Sequence, residues 1–207
     1  MCIRDRCQDE DGCTPLHRAC QGGDIDVVCY LVNEMNKYIP LKDVVYKDGI
    51  TPIHFAALIG NLQIVKLFIS ELNCDPNTPD QWGKTPLHVA AERGHLDILK
   101  YLIERLKCNP SHLDQQEVTP LHLAAMMGHL DAVKYLTQDK LCNPLCCSKN
   151  RDTPLHLAAG NGQLDVVKYL IEVLNCPPKI RGYHNMTPLE QARSKDYTHV
   201  VQYLMSV

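Results

Sequence analysis

Five histidines recur at a nearly constant step and are the first residues whose type could support chemistry. Successive members are 37, 34, 34 and 34 residues apart, at His17, His54, His88, His122 and His156. Imidazoles in series are typical of a metal-binding array or a proton relay. Adjacent helices pack about 8–10 Å apart, whereas zinc lies about 2 Å from each ligand. Equivalent histidines in stacked units therefore cannot share one ion, and we expect them to be structural.

Cysteines follow the same 34-residue step, at Cys74, Cys108, Cys142 and Cys176. The spacing of stacked units exceeds the Cα separation of about 7 Å that a disulfide allows. We therefore expect buried free thiols that pack as small apolar groups. The local cluster of Cys142, Cys146 and Cys147 lacks a second pair of ligands at zinc spacing, and it favours an oxidisable thiol over a metal site if its loop is exposed.

Motifs that arrange reactive groups in enzymes are missing from the sequence. It has no glycine-rich phosphate loop, no His-Glu-x-x-His, no nucleophile elbow and no kinase motif set. The acidic run 9–11 lies in polar sequence, where solvated carboxylates are the ordinary outcome. We predict no catalytic residues, no cofactor and no metal.

Charge and composition narrow the choice of partner and compartment. The net charge is −3, which gives no reason to expect nucleic acid. No apolar run reaches the roughly 18 residues that would span a bilayer, and no apolar leader is visible. Eleven cysteines without an export signal are typical of reduced thiols. These features predict no membrane insertion and a cytoplasmic location, with the nucleus as the alternative.

A Thr-Pro pair opens each of six similar segments. Thr-Pro-Leu-His occurs four times, Thr-Pro-Ile-His starts at Thr51, and Thr-Pro-Leu-Glu starts at Thr187. The threonines are 37, 34, 34, 34 and 34 residues apart, and a fixed period of this length is typical of a repeat protein. Thr is a favoured helix N-cap and Pro is favoured at the first helical position. Each pair therefore predicts the start of a helix.

Each segment predicts two short helices. A glycine nine residues after the threonine suits the left-handed residue that ends a helix, so the first helix has about two turns. These glycines are Gly23, Gly60, Gly94, Gly128 and Gly162. The following residues, such as 96–103, have apolar side chains at the i, i+3, i+4 spacing of an amphipathic helix. Such a unit cannot bury its apolar face alone, so neighbouring units must stack.

The six units resemble ankyrin repeats from about Asp9 to Val207. The tetratricopeptide repeat has the same period but needs a Trp and Leu-Gly pattern that is absent here. The resemblance implies an all-α fold, a solenoid of stacked helix-turn-helix units with β-hairpin-like loops. It also implies that the recurring histidines hydrogen-bond the loop backbone and join adjacent units. The predicted repeats span 9–45, 46–79, 80–113, 114–147, 148–181 and 182–207, with 1–8 unassigned.

The units depart from the family pattern at some loop tips and at both ends. Family members carry Gly two residues before the Thr, where this chain has Gly12, Gly49, Gly83, Glu117, Arg151 and Asn185. Glu and Arg resist positive φ, so we expect their tips to be reshaped or more mobile. The first unit carries a three-residue insertion within 33–47. The last unit replaces His with Glu190, which predicts a capping box with Thr187 and a cap-like repeat.

Partner-binding residues are expected where the units differ. The resemblance implies that loop tips and first helices line one concave side. The variable loop positions are Gln81, Trp82, Lys84, Gln115, Gln116, Val118, Lys149, Asn150 and Asp152. The variable positions near the end of the first helix are Leu58, Ile59, Glu92, Arg93, Met126, Met127, Gly160 and Asn161.

Several of these variable residues are apolar where the pattern predicts exposure. Trp82, Met126, Met127, Leu58 and Ile59 could form a stripe across the second to fourth units. The alternative is that they pack between repeats or are exposed singly. Trp and Arg are enriched in binding hot spots, which favours an interface for Trp82 and Arg93 and leaves the methionines open.

A protein-binding adaptor or scaffold is the function that the sequence predicts. The predicted partner is a protein or peptide that docks on the concave face, and the chain is expected to be monomeric. The alternative is that the chain is the ankyrin-repeat part of a larger effector, such as a channel, a kinase or a ubiquitin-ligase subunit. The partner's identity does not follow from the fold.

Overall fold

The computed structural model describes residues 14–35, 47–138 and 141–207. The unassigned segment 1–8 and most of the predicted insertion lie outside the described residues. Those three ranges contain twelve α-helices and no strand, which confirms the all-α fold class. None of these helices has both the length and the apolar character needed to cross a membrane.

The helices form six consecutive pairs, and a Thr-Pro pair opens each of them. The first helices are α1 (Pro15–Gly22), α3 (Pro52–Ile59), α5 (Pro86–Arg93), α7 (Pro120–Met127), α9 (Pro154–Ala159) and α11 (Pro188–Ser194). The second helices are α2 (Ile25–Met35), α4 (Leu62–Ser70), α6 (Leu96–Lys100), α8 (Leu130–Thr137), α10 (Leu164–Lys168) and α12 (Thr198–Ser206). Helices α6 and α10 continue as π-turns, over Tyr101–Arg105 and Tyr169–Val173.

Capping groups set the short length of the first helices, as α7 shows. The Thr119 hydroxyl oxygen accepts a hydrogen bond from the His122 N–H at 3.3 Å. At the other end Gly128 has φ 80°, and its N–H donates to the carbonyls of Ala124 and Ala125. The N–H of the left-handed glycine thus donates to carbonyls of the last turn that have no partner within the helix. The expected two-turn helix, begun by Thr and ended by Gly, is confirmed here.

The last pair uses the capping box that the sequence predicts. Glu190 Oε2 accepts hydrogen bonds from the N–H and the hydroxyl of Thr187, at 2.7 and 3.0 Å. The bond from the Thr187 N–H is the main cause that holds the pKa of the Glu190 carboxyl below its usual value. The hydrogen-bonded anion also lies in the first turn of α11, where the helix dipole favours it.

Contacts divide the chain into two compact units. The first comprises Met1–Ala90 and Asp97–Cys108, as far as these residues are described. Within it α1 packs on α2 and α3, while α4 packs on α2 and α3. Its fully buried side chains include Leu16, Ile64 and Phe68. Neighbouring helix pairs therefore share one apolar core in this unit.

The second unit comprises Ala91–Leu96 and Asn109–Val207. Helix α9 packs on α7, α10 and α11, and α10 packs on α8 and α12. Leu121, Leu136 and Leu170 are fully buried between these helices. Neighbouring helix pairs in the unit bury their apolar sides against each other, because a single repeat cannot form its own core.

The closing hydrogen bonds of the loop tips recur whether or not glycine is present. In the tip before α5 the Gly83 N–H donates to the Asp80 carbonyl at 3.0 Å, and the Asp80 N–H donates to the Lys84 carbonyl at 2.8 Å. The tip before α7 repeats the first of these bonds, from Glu117 to Asp114, also at 3.0 Å. The turn is therefore set by its hydrogen bonds rather than by the glycine.

The tips without glycine adopt the left-handed conformation all the same. The φ angles are 57° at Glu117, 66° at Arg151 and 61° at Asn185, against 82° at Gly83. The expectation of a reshaped tip is therefore wrong at Glu117 and Arg151, whereas the Asn185 tip does differ, because His184 before it is also left-handed at φ 49°. Glu and Arg adopt a strained conformation because the closing hydrogen bonds of the turn hold it.

Glycine at these tips should stabilise the protein. A non-glycine residue in the left-handed region costs about 1 kcal/mol or more, and the larger backbone entropy of unfolded glycine offsets part of the gain. We expect Glu117→Gly and Arg151→Gly each to raise the free energy of unfolding by about 0.5–1 kcal/mol in urea titrations. Asn185→Gly is the matched control and should gain less, because Asn tolerates positive φ. A loss of stability in Glu117→Gly would contradict the strain.

Candidate partner-binding surface

Recurring histidines connect a helix pair to the loop of the next pair at His54, His122 and His156, and His54 shows the arrangement in the first unit. Its Nδ1 accepts a hydrogen bond from the Thr51 N–H at 3.3 Å. The ring proton therefore lies on Nε2, which donates to the Lys84 carbonyl at 3.0 Å. One imidazole thus caps its own helix and holds a loop 30 residues further along the chain.

The second unit repeats this arrangement twice. His122 Nδ1 accepts from the Thr119 N–H, and its Nε2 donates to the Asp152 carbonyl at 3.1 Å. His156 Nε2 lies 3.2 Å from the carbonyl oxygens of Ile180 and Met186. The expectation that these histidines hydrogen-bond loop backbone and join adjacent units is confirmed at these positions.

The buried histidines should lower the free energy of unfolding at mildly acidic pH. Burial is the main cause that lowers the pKa of His54, His122 and His156. The unfolded chain binds protons as the pH falls below about 6.5, whereas the folded chain keeps the rings neutral to a lower pH. The stability that neutral rings contribute is therefore complete above about pH 6.5 and is lost as the pH falls through the folded-state pKa values.

Urea titrations between pH 7 and pH 5 measure this loss. We expect a slope of up to about 1.4 kcal/mol per pH unit for each buried histidine. His156→Gln should reduce the slope, because the variant has no buried imidazole at this position. A free energy of unfolding that is constant over this range would contradict the assignment.

The four recurring cysteines differ in exposure from Cys147. Cys74, Cys108, Cys142 and Cys176 are buried and free, and burial raises the pKa of each thiol to about 11. Such thiols are poor nucleophiles at neutral pH. Cys147 is exposed, which meets the condition set for an oxidisable thiol. Within residues 14–35, 47–138 and 141–207, no group of three or more His, Cys, Asp or Glu side chains could hold a metal ion.

Trp82 lies on a loop tip with a fixed backbone. Asp80 Oδ1 accepts hydrogen bonds from the N–H groups of Trp82 and Lys84, at 2.9 and 2.8 Å. The Gln81 N–H donates to the Asp48 carbonyl of the preceding loop at 2.8 Å. The indole side chain is 46% exposed on this turn. The loop therefore presents a large aromatic group from a backbone whose donors are already bonded.

Asp114 organises the corresponding tip of the second unit. Its Oδ1 accepts from the N–H groups of Gln116 and Val118, at 2.8 and 2.9 Å. The Gln116 carbonyl in turn accepts from the Lys149 N–H of the next loop at 2.8 Å. Sequence reasoning did not identify Asp80 and Asp114 as framework residues. Their position, five residues before the Thr in consecutive repeats, is the signal that could have revealed them.

The structure exposes about half of the candidate residues. Exposed candidates are Gln81, Trp82, Arg93, Gln115, Gln116, Met127, Lys149 and Asn150. Half-buried candidates are Leu58, Ile59, Lys84, Glu92, Val118, Met126 and Asn161. Of the five predicted apolar residues, Trp82 and Met127 are thus available for contact, whereas the others are partly covered.

Two variable positions belong to the framework rather than to the surface. Asp152 is buried, and its Oδ1 accepts hydrogen bonds from the Tyr183 N–H at 3.0 Å and from Gln191 Nε2 at 2.7 Å. Gly160 is also buried, at the end of α9. Sequence variation at these two positions therefore reflects different local packing rather than exposure.

The ends of two first helices in the second unit are fixed by the following pair. His129 Nε2 donates to the Glu92 carbonyl at 3.0 Å, and Gln163 Nε2 donates to the Met126 carbonyl at 3.4 Å. In the first unit the candidates are Leu58, Ile59, Gln81, Trp82 and Lys84, and all other candidates lie in the second unit. One continuous stripe across the two units stays a prediction.

Family comparisons match most of the chain. A model of ankyrin repeats in three copies matches residues 2–80, 36–114 and 53–145. The chain belongs to the ankyrin-repeat family. A second model, of ankyrin repeats in many copies, matches residues 121–171. No curated protein matches the chain. Ankyrin repeats are in general protein–protein interaction modules and are typically non-catalytic, whereas the repeat boundaries drawn from the sequence stay predictions.

Proposed function

We propose that this ankyrin-repeat chain is a non-catalytic adaptor or scaffold segment that binds a protein or peptide through its loop tips and the ends of its first helices. The observation that carries the proposal is the exposed indole of Trp82 on a tip tied by Asp80. Trp is among the residues most enriched in binding hot spots. Because the loop backbone is already ordered, contact at Trp82 loses little conformational entropy.

The second unit supplies further exposed groups of the kind a protein partner uses. Arg93, at the end of α5, and Met127, at the end of α7, are both exposed. Arg offers five donors for carboxylate or carbonyl groups, and Met adapts to irregular apolar surfaces. We therefore expect an apolar residue of the partner at Trp82 and an acceptor at Arg93.

The proposal includes a reducing cytoplasmic setting and a monomeric chain. The cysteines that the structure describes are all free, which supports a reducing compartment. Placement within a larger effector, such as a channel, a kinase or a ubiquitin-ligase subunit, stays the alternative.

Substitution of Trp82 and Arg93 tests the proposal. A partner captured with the unmodified chain is titrated against Trp82→Ala, Arg93→Ala and the double variant. We expect the double variant to bind at least 30-fold more weakly, since each hot-spot side chain contributes about 1–2 kcal/mol. Leu145→Ala is the matched control, because it removes an exposed apolar side chain from the turn after α8. Unchanged affinity in the double variant would contradict the proposed surface.

A further inference from the structure

Val27 of α2 is exposed at a position where the other second helices are buried. Its side chain is 45% exposed, whereas the equivalent side chains are at most 1% exposed. Those equivalents are Ile64, Ile98, Ala132, Val166 and Val200. Pro15 differs in the same way, since it is exposed while the first proline of every later pair is buried. The first helix pair therefore has an exposed apolar face, and the equivalent face is buried in each of the later pairs.

The next position along the second helix shows which side this face is on. Val28 and its equivalents in the following four pairs are fully buried, and only Val201 of the last pair is partly exposed. The Val28 position is thus partly exposed only in the last described pair, so the following pair buries it elsewhere. The Val27 position is exposed only in the first described pair, so the preceding pair buries it elsewhere. Packing of α2 on α4, α8 on α10 and α10 on α12 supports this alternation.

Tyr30 extends the same face and indicates what chemistry covers it. It is 66% exposed, whereas the equivalent Tyr101 and Tyr203 are partly buried. Lys66 Nζ lies 5.5 Å from the centre of the Tyr101 ring, and Lys168 Nζ lies 5.7 Å from that of Tyr203. Each lysine belongs to the preceding second helix, so a cation–π contact is part of the interface between pairs.

We propose that the face formed by Pro15, Val27 and Tyr30 is a stacking surface for one further ankyrin-type helix pair. The second helix of that pair places an aliphatic side chain against Val27 and a lysine over the Tyr30 ring. The occupant extends the interface that the later pairs already show. This inference is independent of whether the loop tips bind a partner.

A second copy of the chain fits this face poorly. The partner face would be the far side of α11 and α12, where Glu190 and Arg193 are exposed. The equivalent positions in earlier pairs hold a buried His and a buried Cys or Ala, as at His156 and Ala159. Desolvation of a carboxylate and a guanidinium against Val27 and Pro15 would oppose head-to-tail stacking.

A chain extended by one repeat tests the stacking surface. A copy of residues 46–79 is inserted directly before Asp9, so that the copied Lys66 is in register with Tyr30. We expect the melting temperature to rise by at least 5 °C and hydrogen exchange of the α2 amides to slow at least tenfold. Val27→Glu should be almost neutral in the original chain, because Asp24 caps α2 and Glu is favoured at this position of the first turn.

Val27→Glu in the extended chain tests whether the added repeat packs on the face formed by Pro15, Val27 and Tyr30. Val27→Glu should there cancel most of the gain in melting temperature, while the control Val173→Glu, at an exposed position, should have equal effects in both chains. Equal effects of Val27→Glu in both chains would overturn the proposal. Concentration-dependent association of the original chain, abolished by Val27→Glu in sedimentation experiments, would also overturn it, because a second copy would then occupy the face.

Discussion

Replacing His122 with alanine is expected to lower the free energy of unfolding by about 3 kcal/mol. The substitution removes the acceptor of the Thr119 N–H and the donor to the Asp152 carbonyl, both in buried surroundings. Each buried polar group left without a partner costs about 1–3 kcal/mol, and the missing ring adds a cavity term.

His122→Gln is the matched comparison for this prediction. Gln at the third helical position can still accept from the N-cap backbone, but its shorter reach leaves the Asp152 carbonyl without a donor. We expect a loss of about half that of the alanine variant, measured by circular dichroism in urea. Equal stability of His122→Ala and the unmodified chain would show that the ring does not join the two repeats.

Replacing Phe68 with alanine is expected to cost about 3–5 kcal/mol. Among the residues that the structure describes, Phe68 is the largest fully buried side chain, and it lies on α4, which packs on α2 and α3 in the first unit. Its removal loses buried apolar area and leaves a cavity that a close-packed core fills only partly.

The only tryptophan of the chain makes this loss easy to observe, because Trp82 belongs to the first unit. Unfolding followed by Trp82 fluorescence should shift to a lower urea concentration in Phe68→Ala. Leu67→Ala, at the neighbouring half-buried position, should shift it much less. A shift no larger than that of Leu67→Ala would contradict the assignment of Phe68 to the core.

The repeat framework could be predicted because it depends on local signals. Thr-Pro starts each first helix, and the glycine nine residues later supplies the left-handed residue that ends most of them, as Gly128 does. The distance between stacked helices was enough to assign the histidines to structure, and the contacts of His54 confirm this. These inferences need only the period and the properties of single residues.

The loop tips were less predictable because their geometry depends on distant partners. Glu117 takes positive φ because the turn around Asp114 holds it, which overrides the preference of the residue. Asp152 is buried by Tyr183 and Gln191, which lie 31 and 39 residues further along the chain. Differences between repeats in an alignment therefore do not separate exposed positions from packed ones.

For the candidate surface, the sequence indicated residue types but not their exposure. Trp82 and Met127 are exposed as expected, whereas Leu58 and Ile59 are half-buried. The exposure of an apolar residue near a helix end depends on the length and direction of side chains in the adjacent repeat. Such packing does not follow from a 34-residue period.

The central claim is that the repeated residues build the framework and the exposed variable residues bind. The most direct measurement is the affinity of a captured partner for Trp82→Ala and for His122→Gln, with the melting temperature of each variant. We predict that Trp82→Ala weakens binding about 5- to 30-fold with an unchanged melting temperature, whereas His122→Gln lowers the melting temperature and leaves the affinity unchanged below its transition. Full affinity in Trp82→Ala together with lost affinity in folded His122→Gln would contradict the claim.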